Sequence, residues 1–169
     1  ADTTRVANLL AAAANASSAE VDDIALAMQQ ASAVFASAKL PIEDLVTAIG
    51  EMANAGIKGS DAGTSLKQFL LSIEAPTKTA AATMKALGVE VFDTTGRLKS
   101  LPEIIGSFET ALSGLTDQQK AGALQKIFGS DAIRAAQILF NTGVDGFNKM
   151  KEAVTANGAA AELANARMK

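Results

Sequence analysis

Apolar residues recur along most of the chain at the three- and four-residue spacing that places them on one face of an α-helix. This pattern predicts helices at about residues 2–16, 18–38, 41–55, 60–74, 78–87, 102–115, 117–128, 130–140 and 144–154. Two terminal signals support these boundaries: Pro41 stands at a predicted first helical position, and Thr116 with Gln119 forms a capping-box pattern. We therefore expect a mainly α-helical, compact multi-helix module.

One short stretch departs from the helical period. The run Val89-Glu90-Val91-Phe92 is β-branched and aromatic, Asp93 to Gly96 is a turn signal, and residues 97–99 can return as a second strand. We expect a small β-hairpin at about residues 89–99, with Phe92 and Gly96 as its characteristic residues. An isolated hairpin is only marginally stable in water, so it must either pack on the helices or pair with a strand of another subunit.

Glycines mark the junction between the third and fourth predicted helices. We expect Gly56 to end one helix, Gly59 to form the tight turn, and Gly63 to permit close helix packing. The run 56–64 can also be compared with a phosphate-binding loop. That loop needs a Lys directly after its last Gly, and a strand leading in, whereas here Lys58 precedes Gly59. The helix-junction interpretation is therefore favoured.

Phe128 and Gly129 mark a second helix end. Gly129 is expected to adopt a positive φ at the end of the helix, where a side chain would be strained. Phe128 is interpreted as a core residue, and its alternative role is a docking side chain for a partner.

The composition restricts the chemistry that this chain can perform. The sequence has no His and no Cys, which removes His-based triads, thiolate zinc sites and the usual proton shuttle at neutral pH. The acid pairs Asp22-Asp23 and Glu43-Asp44 are expected to spread over helix surfaces and to offset the helix dipole in first turns. We therefore expect no catalytic residue, no metal site and no cofactor, and predict that the chain is not an enzyme.

The charge and hydropathy patterns restrict the kinds of partner that this chain is expected to bind. The net charge of −3 is scattered, without a basic stripe interleaved with aromatic residues, so sequence-specific nucleic-acid binding is not expected. No apolar run reaches the roughly 18–20 residues that a membrane-spanning helix needs. Alanine-rich helix faces favour close helix contacts, and we expect the chain to associate with copies of itself.

An ordered set of short segments carries a resemblance to a known family. The segments are Ala55-Gly56-Ile57-Lys58-Gly59-Ser60-Asp61-Ala62-Gly63-Thr64-Ser65-Leu66, Ala75-Pro76-Thr77, Leu87-Gly88-Val89, Val91-Phe92-Asp93, Leu101-Pro102-Glu103-Ile104-Ile105, Ala111-Leu112-Ser113-Gly114-Leu115-Thr116 and Ile127-Phe128-Gly129-Ser130-Asp131-Ala132. In this order they resemble the core region of phage tail tape-measure proteins of the TP901 type. The resemblance covers roughly residues 40–150.

The resemblance implies a structural role in a phage or prophage tail: tail assembly, determination of tail length and DNA delivery. It implies a place in the lumen of the virion tail, assembly in the host cytoplasm, and contacts with further copies and with other tail proteins. The corresponding division of the chain is 1–39 as N-terminal helices that could continue a longer parent chain, 40–155 as the core module, and 156–169 as an alanine-rich tail. The alternative is a free-standing helical adaptor that binds protein partners.

Overall fold

The computed structural model describes the backbone of residues 3–168 and the side chains of residues 3–155. These residues form the helices α1 (Thr3–Ala16), α2 (Val21–Ser37), α3 (Ile42–Asn54), α4 (Gly59–Glu74), α5 (Lys78–Leu87), α6 (Leu101–Leu112) and α7 (Asp117–Met168). The prediction of a mainly helical fold is confirmed. The side chains of the alanine-rich tail, 156–169, lie outside the described residues.

The last helix, α7, is bent at two glycines. Gly129 has φ 68° and ψ −171°, and Gly143 has φ 75° and ψ −179°, a backbone region that is essentially restricted to glycine. We call residues 117–128, 130–142 and 144–168 the first, second and third segments of α7. The bends occur where the sequence predicted boundaries between separate helices, and the positive φ expected at Gly129 is confirmed.

The chain reverses direction at the first bend. The rings of Phe128 and Phe140, in the first and second segments, have centroids 5.8 Å apart. In a straight helix, residues with this sequence separation would lie about 18 Å apart along the axis. The two segments therefore fold back on each other.

Helix α3 lies at the centre of the fold. Every residue from Asp44 to Ala53 is buried, because α1, α2, α4 and α7 all pack against this helix. Helices α2 and α4 pack against each other, and α6 packs against α7. One continuous hydrophobic core extends from Leu9 in α1 to Val154 in α7.

Helices α2, α3 and α5 end in the same way. Each is followed by a residue with positive φ: Lys39 (62°), Gly56 (93°) and Gly88 (79°). The next amide then donates back into the last helical turn, with bonds from Leu40 to Phe35 (3.0 Å), Ile57 to Met52 (2.9 Å) and Val89 to Met84 (2.9 Å). This is the Schellman arrangement, which satisfies carbonyls at the helix end.

The β-hairpin predicted at residues 89–99 is wrong, because the described residues contain no β-strand. A single antiparallel bridge joins Phe92 to Leu98 instead. The physical reason lies in the turn, where the Asp93 carboxylate accepts two backbone N–H groups, those of Thr95 at 2.8 Å and Arg97 at 3.1 Å. Of these two groups, the Arg97 N–H is the one that a hairpin ladder would pair with the Asp93 carbonyl, so a side chain replaces one bond of the ladder. Two backbone bonds flank the bridge, from Asp93 to Arg97 and from Lys99 to Val91, both at 2.8 Å.

Candidate functional site

The predicted glycine motif forms the junction that brings α4 against α2. Gly56 follows the end of α3, and Gly59 opens α4 with φ 64°. At Gly63 the two helices approach so closely that a Cβ would stand 2.8 Å from the Ala27 Cα. Gly56 follows a helix end and Gly63 lies at a close helix contact, as the helix-junction interpretation expects. Gly59 differs from the expectation, because it is the first residue of α4 rather than part of a turn before that helix.

Four phenylalanines form an aromatic cluster beneath the first bend of α7. The cluster joins Phe69 of α4 and Phe108 of α6 to Phe128 and Phe140 of α7. The closest pair, Phe108 and Phe140, stacks with ring centroids 4.4 Å apart, and Phe69 stacks on Phe128 at 5.2 Å. Phe128 is 5% exposed, which confirms the core interpretation over the docking one. The cluster fixes the first two segments of α7 on α4 and α6.

Polar contacts attach the second segment of α7 to α4. The Ser65 hydroxyl, fully buried, donates to the Asp131 carbonyl at 3.0 Å. The Arg134 guanidinium binds both carboxylate oxygens of Asp61, at 3.0 and 2.7 Å. This hydrogen bonding to Arg134 lowers the pKa of Asp61. Both side chains are exposed, so the ion pair adds orientation rather than much stability.

A carboxylate from α6 occupies the inside of the second bend. Glu109 accepts the backbone N–H of Val144 at 3.3 Å, and a Cβ on Gly143 would overlap its carboxylate. Glu109 therefore caps the start of the third segment, where backbone N–H groups have no helical partner.

The third segment covers α3. The Lys151 ammonium lies 2.8 Å from the Asp44 carboxylate, which is almost fully buried. A Cβ on Gly50 would stand 3.6 Å from the Met150 sulfur, and Phe147 and Val154 are fully buried. The expectation that Asp44 lies on a helix surface is wrong, because the third segment covers it and supplies its cation.

A second buried acid on α3 has no partner. Glu51 is 4% exposed, and neither of its carboxylate oxygens makes a hydrogen bond. Burial raises the pKa of Glu51 from 4.5 to about 8, because the charged form is poorly solvated there. A substrate cannot reach a carboxyl enclosed in this way, so the raised pKa does not identify a catalytic acid.

Phe92 and Gly96, the predicted hairpin residues, lie in the turn that follows α5. Phe92 is 39% exposed and lines an open cavity of about 350 Å³ together with Ile73, Met84 and Val91. Gly96 has φ 85° and no atom within 4 Å of a Cβ position. The turn packs beside α5, where Phe92 and Met84 line the same cavity.

The described part of the chain offers no group of three or more His, Cys, Asp or Glu side chains that could hold a metal ion. In the same residues, no helix combines the length and apolarity needed to cross a membrane. The characteristic features of this fold are close helix–helix contacts, bends at glycines and buried helix faces. They define the chain as a helical packing module.

Comparison with known proteins gives the family. The sequence profile of the phage-related minor tail protein family matches residues 1–129, and the chain belongs to this family. It is 38% identical over 160 residues to the tape measure protein of Pneumococcus phage Dp-1, covering 94% of this chain and 14% of that protein. It is 32% identical over 166 residues to the probable tape measure protein of Escherichia phage P2, covering 95% of this chain and 20% of that protein. The chain thus spans a fifth or less of these relatives' lengths. No solved structure matches it.

Proposed function

We propose that this chain is the compact module of a phage tail tape-measure protein, equivalent to the TP901-type core region, and that its role is structural rather than enzymatic. Two relatives that carry the tape-measure name align along almost the whole chain. The adaptor alternative expects a short free-standing protein, whereas the matched proteins are several times longer than this chain.

The observation that carries the proposal is the folding back of α7. Unbroken, residues 117–168 would form a rod of about 78 Å, at about 1.5 Å per residue. The bends at Gly129 and Gly143 place the described side chains of α7, as far as Val154, in a packed bundle instead. Such a module does not convert residue count into length, so its role is to organise or anchor the assembly while a helical region elsewhere in the parent protein measures the tail.

In this role the module works in several copies within the tail lumen, after assembly in the host cytoplasm, and contacts other tail proteins before DNA delivery. Five of the predicted residues support this role because they lie at helix junctions, at the first bend of α7 or in the core: Gly56, Gly59, Gly63, Phe128 and Gly129. A structural role for Phe92 and Gly96, in the turn after α5, stays a prediction. The divisions at residues 39/40 and 155/156 stay a prediction about the parent chain.

Electron microscopy of tails from mutant phage tests the proposal. Ile127→Asp places a charge at a position 4% exposed and should block tail formation or leave tails that do not deliver DNA. Lys126→Asp, at the exposed neighbouring position, is the matched control and should leave tails normal. In-frame deletions in the parent's long helical region should shorten tails. If deletions within 40–150 instead gave normal tails shortened in proportion to the residues removed, this segment would be part of the ruler and the proposal would fail.

A further inference from the structure

We propose that the third segment of α7 exchanges between copies of this chain: the backbone straightens at Gly143, and the segment docks on α3 of a second copy. The inference deepens the proposed function, since it supplies a way for adjacent copies to join. Residues 130–168 would then form one helix of about 58 Å, at about 1.5 Å per residue.

The bend at Gly143 is a single residue wide. The backbone is helical immediately before and after it, so a change at one φ,ψ pair is enough to continue the helix. The hydrogen bond from Val144 to Glu109 would be lost. In a continuous helix, however, the same N–H donates to the carbonyl of Phe140, four residues earlier. Straightening at this residue therefore leaves no amide without a partner.

The surface that separates is the one between the third segment and α3. It contains the Lys151–Asp44 ion pair and Met150 beside Gly50. Phe147 and Val154 of the same segment are fully buried as well. Opening this surface in a lone chain would expose the apolar side chains and leave Asp44 without its cation. On a second copy the same contacts form again, which is why exchange of identical elements is a low-cost route to association.

Charge complementarity favours a second copy over an unrelated helix. Asp44 is 1% exposed, so whatever covers it must place a cation where Lys151 lies. A helix without that cation leaves a buried charge unpaired, which is strongly unfavourable. The third segment of another copy has the required Lys at the required spacing from Phe147 and Val154.

Two charge-reversed chains test the exchange directly. Asp44→Lys places two cations together within a chain, and Lys151→Asp places two anions together. Only exchange between the two variants restores opposite charges at both sites. Native mass spectrometry of an equimolar, co-refolded mixture should show oligomers that contain both chains, whereas each variant refolded alone should form no oligomer. A mixture that forms no mixed oligomer overturns the proposal, whether the separate variants fold or not.

Substitution of the hinge tests the same step in an otherwise native chain. Ala at position 143 is strained at φ 75° and would overlap Glu109, but it suits a continuous helix. Gly143→Ala should tighten self-association at least about tenfold, equivalent to roughly 1.4 kcal/mol, measured by analytical ultracentrifugation. Gly122→Ala, at a helical glycine with no atom near its Cβ position, should associate like the wild type. A Gly143→Ala chain that is destabilised and remains monomeric overturns the exchange. Neither experiment depends on tail length, so the proposed function stands or fails separately.

Discussion

Gly63 of α4 lies directly against the backbone of Ala27 in α2: a Cβ on Gly63 would stand 2.8 Å from the Ala27 Cα. A backbone atom cannot rotate away as a side chain can. The distance between α2 and α4 is therefore set by the missing side chain at position 63.

Gly63→Ala should lower the free energy of unfolding by about 1–3 kcal/mol, because overpacking forces the helices apart. This loss should exceed the roughly 1 kcal/mol that Ala contributes as a better helix former. Gly122→Ala is the matched control, since nothing lies within 4 Å of its Cβ position, and it should stabilise slightly. Urea unfolding of both variants measures the difference. A similar gain at the two positions would show that the α2–α4 crossing is looser than described.

Glu51 predicts a pH dependence of stability. Its pKa is raised from 4.5 to about 8 in the folded chain, so between these values the unfolded chain binds fewer protons than the folded one. Stability should therefore fall as pH rises through this window, by at most about 1.4 kcal/mol per pH unit. Glu51→Gln should remove this dependence, giving a more stable protein than the wild type at pH 8 and little difference at pH 4.

Glu90→Gln, at an exposed position, is the control for the Glu51 experiment and should follow the wild type at every pH. Thermal unfolding across pH 4–9 measures all three proteins. Parallel curves for the wild type and Glu51→Gln would mean that Glu51 is solvated in the folded chain.

Replacing Lys39 with glycine should increase the stability of the folded chain. Among the residues that the structure describes, Lys39 is the non-glycine residue whose φ is positive, at 62°. A side chain in this conformation costs roughly 1–2 kcal/mol. Lys39→Gly should stabilise by about 1 kcal/mol after the larger entropy loss of glycine on folding is included. Lys85→Gly, inside the last turn of α5, should instead destabilise by about 1 kcal/mol. Melting temperatures that move in the same direction would contradict this account.

The aromatic cluster should account for a large share of the stability. Phe108 is fully buried and stacks on Phe140, so Phe108→Ala should cost about 3–5 kcal/mol. Phe92→Ala, at a side chain 39% exposed, should cost clearly less. Chemical denaturation followed by circular dichroism compares the two. Equal losses of stability in the two variants would contradict this prediction, because they would mean that the Phe92 side chain is packed as extensively as that of Phe108.

Local sequence signals predicted most helix boundaries, because capping depends on residues close to each other in the chain. The capping box at Thr116 is confirmed. The backbone N–H of Gln119 donates to the Thr116 hydroxyl at 3.2 Å, and the side-chain oxygen of Gln119 accepts the Thr116 backbone N–H at 2.9 Å. Ser100 likewise caps α6 by accepting from Glu103. Helix α2 begins later than the predicted position 18: its cap is Glu20, and the Ser18 hydroxyl donates to Asn54 and to the Ala53 carbonyl.

The sequence patterns did not predict the tertiary contacts between helices. Asp44 and Glu51 fall on the polar side of α3, the side that solvent normally covers, and burial there depends on where α7 returns. The available signal was the small residues on the same helix, Ala48, Gly50 and Ala53, which permit another helix to approach. At residues 89–99 the β-branched residues predicted two strands. The Asp93 carboxylate instead accepts backbone N–H groups in the turn, and a single bridge joins Phe92 to Leu98.

The burial of α3 on every side has a consequence for local fluctuations. Amide hydrogens exchange with solvent when the surrounding structure opens, and segments enclosed by others open last. The amides of residues 47–53 can be reached only after α1, α2, α4 and α7 have separated, so their exchange should report the global free energy of unfolding. In α1, most side chains before Leu9 are exposed, and its first turn should exchange through fraying alone. The protein thus contains a gradient of protection that rises from the outer helix to the central one.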